Sequence, residues 1–256
     1  MAPTWLTVLA WISLAASFVC AGLIAVEIFV KGYRQHVWIM DVVWSLTALY
    51  SGPLGWLAYR AWGRLNSPRS RQETGDRHHY PFSVSVGISD THCGAGCALG
   101  DLMAEWVLFA VGVTIAGVAL WPEYIADCAL AFIFGIAFQY FAITAMRRLS
   151  VRDGVIAALK SDTLSVITFE LGLFGWMALM FFVFFPNPHL KPDHAAYWFL
   201  MQVGMILGFL TSFPANRWLI TRGDQGGNVT RAQGTRARCT HAAPSRSQGT
   251  PAPGWC

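Results

Sequence analysis

Charged residues are scarce in this chain. Only 12% of its 256 residues are Asp, Glu, Lys or Arg, whereas a soluble chain is about a quarter charged. So few ionisable side chains cannot cover a water-soluble domain of this size, which excludes an ordinary soluble protein. The sequence also lacks the short motifs of phosphate-binding loops, serine hydrolases, zinc proteases and dinucleotide-binding folds. It therefore offers no recognisable catalytic site and favours a non-enzymatic protein.

Hydrophobic residues take the place of the missing charges. They make up 55% of the chain, and the mean hydropathy is +0.44. A helix that crosses a hydrocarbon layer of about 30 Å needs about 20 apolar residues. Runs of this kind predict an all-α, polytopic transmembrane helix bundle of about six spans. The predicted spans are residues 5–30, 37–59, 93–121, 126–146, 162–185 and 195–220.

The composition changes after residue 222. The stretch 223–256 is rich in Gly, Ser, Thr, Pro and Arg and has no apolar periodicity, which is typical of disorder. We therefore predict a transmembrane helical domain over residues 1–222 and a disordered cytoplasmic tail over 223–256. No basic residue precedes Lys31, so the first apolar run does not resemble a signal peptide and is expected to be retained.

The distribution of Lys and Arg along the chain predicts the orientation of the helices in the membrane. With six spans, both termini lie on one side, and only Lys31, Arg34 and Lys191 of the 18 basic residues fall on the other. Because cytoplasmic loops are enriched in Lys and Arg, the pattern predicts an N-in/C-in protein of the bacterial cytoplasmic (inner) membrane. The net charge of +4 then reflects topology, and no nucleic-acid partner is needed to explain it.

A candidate metal site lies at the start of the third predicted span. If a helix begins near Cys93, with Asp90 or Thr91 as its N-cap, Cys93 and Cys97 lie on one face and His92 lies in the preceding turn. Two thiolates and an imidazole suit a soft ion, copper first and zinc second. The alternative is a packing role, since Cys pairs also occur as small buried residues beside glycines.

Acidic residues extend this face into the membrane. Asp101 and Glu105 continue the four-residue spacing, and the fifth predicted span carries Asp162 and Glu170. Asp162 is expected near the membrane boundary, close to a Lys or Arg. Two interpretations stay open for the four acids: a proton or cation pathway, or a polar clamp between helices.

The last predicted span supplies a secondary candidate set, Met201, Gln202 and Met205. Met201 and Met205 share a helix face and are suited to a soft cation. Methionine also fills space in cores, so a packing role is the alternative.

Several segments resemble a bacterial inner-membrane family of unknown function, DUF4396. The segments that carry the resemblance are Trp38–Trp44, Ala48–Leu54, His92–Cys97 with Gly100-Asp101 and Glu105, Gly135–Tyr140, Asp162–Ser165 with Phe169-Glu170, Met201–Met205 and Pro214–Asn216. The resemblance covers residues 37–220 and implies family membership and a membrane location. It implies no activity, and residues after Arg222 depart from the family pattern.

Three functions follow as hypotheses. The first is the binding or transport of a soft metal ion, captured by His92, Cys93 and Cys97. The second is a membrane thiol oxidoreductase that uses the two cysteines, although their spacing differs from the usual CxxC. The third is a non-enzymatic structural or assembly subunit. All three place the chain in a lipid bilayer, and only the first requires a metal ion as partner.

Overall fold

The computed structural model describes residues 2–74, 80–146 and 150–222. Within these residues the protein is all-α. The described residues form eight α-helices: α1 (Thr4–Ala25), α2 (Ile39–Ser51), α3 (Pro53–Ala58), α4 (Pro68–Thr74), α5 (Phe82–Val111), α6 (Leu120–Met146), α7 (Val151–Leu179) and α8 (Ala195–Arg222). The predicted tail, residues 223–256, lies outside the described part of the chain.

Five of the described helical segments are long and apolar enough to cross a membrane, one fewer than predicted. They are Thr4–Val30, Phe82–Val111, Leu120–Thr144, Val151–Phe184 and Ala195–Arg222. The long helices α1 and α7 and the short α3 each continue into a single π-helical turn at the C-terminal end. Large apolar side chains such as Trp11, Phe18 and Leu171 are exposed on the outer surface, as lipid contact requires.

The second predicted span is instead a helical hairpin. Helix α2 has only 13 residues and ends at Gly52, whose φ of 58° lies in the left-handed region that favours glycine. Pro53 then begins α3. The rings of Trp44 in α2 and Tyr59 after α3 pack edge to face with centroids 5.7 Å apart. Since these residues lie seven positions either side of the 51–52 turn, α3 must run back along α2.

An acidic residue joins the two ends of this hairpin. Glu27, at the end of the first span, is 5% exposed, and its Oε1 lies 3.7 Å from Lys31 Nζ. The same oxygen lies 3.4 Å from Arg60 Nη1 and 3.6 Å from Arg64 Nη1. With six predicted spans, Lys31 and Arg60 were expected on opposite sides of the membrane. They lie together because the chain between them turns back at Gly52.

The tip of the hairpin is bonded to the last helix. Gln202 in α8 donates from Nε2 to Leu49 O (2.7 Å) and to Ser17 Oγ (2.9 Å). Its Oε1 accepts from Ser13 Oγ (2.9 Å). A backbone carbonyl freed at the end of α2 has no water partner inside a membrane, so this side chain supplies the donor it needs.

Helices α5, α6, α7 and α8 form the centre of the bundle. Helices that follow one another in the chain pack antiparallel, with glycines at the closest contacts. A Cβ added at Gly96 in α5 would lie 2.7 Å from the Gly135 Cα in α6. One added at Gly208 in α8 would lie 2.9 Å from the Phe169 carbonyl oxygen in α7. Small residues therefore bring backbones together, as is common in membrane bundles.

Two predicted boundaries are wrong in a way that matters for the site. Helix α5 begins at Phe82 and not near Cys93, so the residues before Cys93 are helical and not a cap. Helix α7 begins at Val151, after Ser150 Oγ accepts from the Asp153 N–H as an N-cap. Asp162 consequently lies in the fourth turn of α7, 2% exposed, and not at a helix boundary.

Candidate functional site: a buried row of carboxyl groups

One face of α5 carries polar residues through the length of the bundle. Asp90, Cys93, Cys97, Asp101 and Glu105 recur every three or four residues, the spacing that places side chains on one side of a helix. Each is at most 2% exposed. The 15 residues from Asp90 to Glu105 rise about 22 Å along the helix axis. This face therefore reaches across most of a hydrocarbon layer.

Helix α7 places a second polar face against the first. The Cys93 thiol adjoins the side chains of Asp162 and Ser165. One turn further along both helices, the Cys97 thiol adjoins Glu170. The two cysteines thus lie between a pair of carboxyl groups that belong to the neighbouring helix.

Helix α6 adds carboxyl groups at the far end of α5. Asp127 is fully buried, and its charged neighbours are Glu105, Glu170 and Glu123. Asp101 has Glu170, Asp127 and Glu105 as neighbours. Three helices therefore direct acidic side chains towards one interior region around Asp101.

Helix α8 closes the other end of the polar region. Asp90 Oδ1 accepts from Ser212 Oγ (2.7 Å) and from Asn216 Nδ2. Asn216 Nδ2 also donates to Ser165 Oγ (2.7 Å). These bonds correct the expectation that Asp90 caps a helix: it is a fully buried side chain that links α5 to α8.

We call the six deeply buried carboxyl groups the acid row; they are Asp90, Asp101, Glu105, Asp127, Asp162 and Glu170, each at most 3% exposed. Within the described residues, both oxygens of Asp101, Glu105, Asp127 and Glu170 and one oxygen each of Asp90 and Asp162 have no hydrogen-bond partner. None of the ion pairs found among those residues includes an acid of the row. Buried carboxylates without counter-charges are too costly to keep, so each needs a proton, a bound cation or water.

The predicted metal site is not supported. No group of three or more His, Cys, Asp or Glu side chains in the described ranges is arranged to hold a metal ion. Helix geometry separates the predicted ligands. His92 precedes Cys93 inside α5, and the side chains of successive helical residues point about 100° apart. His92 is half-buried with an unpartnered Nε2, while Cys93 and Cys97 face α7.

The secondary set in α8 is divided between two roles. Met201 and Met205 belong to the main hydrophobic core and pack there. Gln202 is committed to the hairpin tip through its bonds to Leu49 O and to two serines of α1. This arrangement matches the packing alternative for the methionines.

A cavity of about 330 Å³ lies at one end of the acid row. We call this the cavity end of the bundle and the opposite one, where the hairpin begins and returns, the hairpin end. Glu105, Glu123 and Tyr197 contribute to the wall, with residues that follow α5 and precede α8. The acid row thus begins at a space that a solute can occupy.

The acids of α6 were not among the residues predicted from sequence. The third predicted span ends at residue 121 and the fourth begins at residue 126, which made Glu123 and Asp127 look like boundary residues. The signal that identifies them is a four-residue spacing with the small residues Ala131 and Gly135, which contact α5. A helix face that packs on α5 through small residues must carry its acids to the same side.

Comparison with known proteins identifies the family. The family model described as "Domain of unknown function (DUF4396)" matches residues 84–225. This is more than half of the 256 residues, so the chain belongs to that family. The match includes every acid of the row. No curated protein and no solved structure matches the chain.

Proposed function

We propose that this DUF4396 protein conducts protons across a membrane along the acid row. The observation that supports the proposal is a continuous series of buried carboxyl groups through the bundle, none with a counter-charge among the described residues. Asp90 neighbours Asp162, the thiols of Cys93 and Cys97 follow, and Glu170 neighbours Asp101. Asp127 and Glu105 complete the row at the cavity.

A proton suits this arrangement better than a metal ion. Carboxyl groups exchange protons between neighbours and need only one adjacent donor or acceptor each, often through a bridging water. A soft metal needs several ligands at once, and the described residues offer no such group. Soft-metal transport, the first hypothesis from sequence, therefore ranks below proton conduction.

Thiol oxidoreduction also ranks lower. Cys93 is 2% exposed and Cys97 is fully buried, so no partner protein reaches either sulfur. Reactive cysteines are typically partly exposed in electropositive surroundings, whereas these two are buried among acids. Their position between acids of α7 instead gives them a place as polar neighbours within the proton pathway.

A structural role is the second candidate, because several polar side chains join helices directly. Asp90, Ser212, Asn216 and Ser165 form such a link between α5, α7 and α8. Asp101 differs from these residues: both of its oxygens lack a partner in the described part of the chain. A polar clamp would use those oxygens in hydrogen bonds. Asp101 is therefore the residue at which proton conduction and a structural role make the most different predictions.

The test is proton flux into liposomes that contain the purified full chain and a pH-sensitive dye. Under an imposed pH gradient, the wild-type protein should acidify the lumen faster than empty liposomes. Asp101→Asn should lower that rate about 100-fold, the typical cost of losing a proton-transfer group, without lowering thermal stability. Glu73→Gln, which changes an exposed acid outside the row, is the control.

Two outcomes would reject the proposal. One is a wild-type rate equal to that of empty liposomes under gradients of either direction. The other is an Asp101→Asn rate equal to the wild-type rate, which would leave the polar clamp as the role of the row.

The membrane and its orientation complete the proposal. Of the described Lys and Arg residues, only Lys191 lies at the cavity end; the others lie at or towards the hairpin end. The excess of basic residues favours a cytoplasmic hairpin end and an outward cavity end in a bacterial inner membrane. With five spans the N-terminus is then outside and Arg222 inside, which replaces the N-in/C-in prediction.

A further inference from the structure

The cavity has an acidic inner wall that lacks partners. Glu105 is 1% exposed and Tyr197 is 5% exposed, and both line the space. In the part of the chain that the structure describes, neither the Glu105 oxygens nor the Tyr197 hydroxyl reach good hydrogen-bond geometry with any partner, and the polar neighbours of Glu105 include Tyr197 itself and Asp127. Glu123 lines the same space, and Asp127 adjoins Glu105 from behind. Buried polar groups that face a cavity without partners are groups that a ligand can satisfy.

Most of the remaining wall is apolar. Phe109 and Phe181 provide aromatic rings, and Leu120, Met177 and Met180 provide aliphatic and thioether surface. A cavity of about 330 Å³ with an apolar wall and a few convergent polar groups has the usual size and lining of a small-molecule site.

The charges of the cavity select the class of ligand. Two acids, Glu105 and Glu123, and one lysine, Lys191, line the cavity, and Asp127 lies behind Glu105. Because the acids outnumber the lysine, negative charge predominates and an anion is disfavoured. A hard metal ion needs about six oxygen ligands, which this mostly apolar wall does not provide. An ammonium group on an apolar body matches both parts of the wall, because aromatic faces attract cations as carboxylates do.

We propose that the cavity binds a small organic ammonium ion, with its nitrogen at Glu105 and Tyr197 and its apolar body between Phe109 and Phe181. This inference deepens the proposed function and rests on it in one respect. Glu105 is the last acid of the row, so it must give up its proton to receive the ammonium ion. One positive charge enters as one proton leaves along the row, and the net charge of the cavity stays constant. The protein would then exchange protons for organic cations.

The experiment compares two molecules of the same shape. Phenethylammonium and the neutral 2-phenylethanol are titrated into the detergent-purified full chain by calorimetry at pH 7.5. Phenethylammonium should bind saturably and 2-phenylethanol should not. Repeating the titration in buffers of different ionisation enthalpy should reveal the release of about one proton per ammonium ion bound.

Three variants locate the site. Glu105→Gln should weaken binding about tenfold or more, since it removes the charge partner of the ammonium ion. Tyr197→Phe removes only a hydroxyl and should weaken binding less, which keeps the test decisive if Glu105→Gln unfolds. Glu73→Gln changes an exposed acid at the hairpin end, outside the row, and should bind like wild type.

The outcomes separate this inference from the proposed function. Equal binding of the two molecules, no binding by wild type, or wild-type affinity in both Glu105→Gln and Tyr197→Phe overturns the ammonium site. Proton flux without ammonium binding would leave the proposed function standing alone. Ammonium binding in a protein that shows no proton flux would retain the site and reject proton conduction and exchange.

Discussion

Arg60 Nη1 donates to Glu27 Oε1 across 3.4 Å, and this contact joins the segments before and after the α2–α3 hairpin. Lys31 Nζ lies 3.7 Å from the same carboxylate oxygen. The chain between Lys31 and Arg60 therefore enters the bundle and comes back at the same end. A polypeptide that returns in this way does not count as a span, which leaves the five long apolar helices of the described residues as the candidate spans.

Cysteine labelling tests this topology. In a chain whose six native cysteines are serine, Lys31→Cys and Arg60→Cys should react with a membrane-impermeant maleimide from the same side of sealed vesicles. Lys191→Cys should react from the opposite side. Labelling of the Lys31 and Arg60 positions from opposite sides would restore the six-span arrangement.

Glu27 should stabilise the hairpin end through its basic neighbours. Glu27→Gln leaves Lys31, Arg60 and Arg64 without their shared carboxylate. Because these basic side chains are 28–58% exposed, water offsets part of the loss, and we expect a destabilisation of about 1–2 kcal/mol. Thermal unfolding in detergent measures it. Glu73→Gln, which breaks an exposed pair with Arg69, is the control and should cost about 0.5 kcal/mol or less.

Gly96 should be intolerant of any side chain. Gly96→Ala puts a methyl group 2.7 Å from the backbone of Gly135, which must force α5 and α6 apart. We expect a loss of about 1–3 kcal/mol in unfolding free energy. Gly175→Ala is the matched control in α7, where an added Cβ meets nothing within 4 Å. That substitution should be neutral or stabilising by up to about 1 kcal/mol. Equal effects of the two would contradict the close packing of α5 on α6.

Gln202 should matter for the hairpin and not for a metal. Gln202→Leu removes the donor to Leu49 O and leaves that carbonyl unpaired, at a cost of about 1–3 kcal/mol. Gln139→Leu removes a hydrogen bond to Ser161 at another helix contact and should cost about 1 kcal/mol or less. Unfolding curves of both variants make the comparison. A Gln202→Leu protein as stable as wild type would mean that the hairpin tip finds its donor elsewhere.

The cysteines of α5 should be unreactive in the folded protein. Cys93 and Cys97 are buried, whereas Cys128 in α6 is half-buried. Alkylation followed by mass spectrometry of peptides should modify Cys128 well before either of the other two. Rapid modification of Cys93 under native conditions would show that the thiols are accessible and would revive the oxidoreductase hypothesis.

Much of the fold was predictable because lipid imposes simple rules on sequence. Each of the five long apolar helices overlaps a predicted apolar run, and three of them, Thr4–Val30, Leu120–Thr144 and Ala195–Arg222, lie close to it at both ends. The hairpin was not predictable from hydropathy, since residues 37–59 have the length and composition of a span. What divides them is local: Gly52 takes a φ of 58° and Pro53 starts a new helix. A glycine–proline pair inside an apolar run is the feature of the sequence that indicates such a break between helices.

The polar faces of α5 and α7 were predictable from spacing, and the structure brings Cys93 next to Asp162 and Cys97 next to Glu170. The acidic residues of other helices that surround these faces, and so determine their chemistry, were not predictable. Asp127 belongs to a third helix, and which helix faces which depends on the contact between Gly96 and Gly135. A single sequence contains no direct record of such a contact, so the prediction of a metal site rested on α5 alone.

The hairpin tip also fixes an order of events during biosynthesis. Gln202 follows Leu49 by 153 residues, so the ribosome releases the hairpin long before its hydrogen-bond donor exists. Until α8 is inserted, the Leu49 carbonyl is stable only where water still reaches it, at the membrane surface or within the insertion machinery. The hairpin is therefore expected to enter the membrane late, after the C-terminal helix has arrived. Nascent chains that stop before α8 should retain an exposed hairpin and become substrates for membrane quality control.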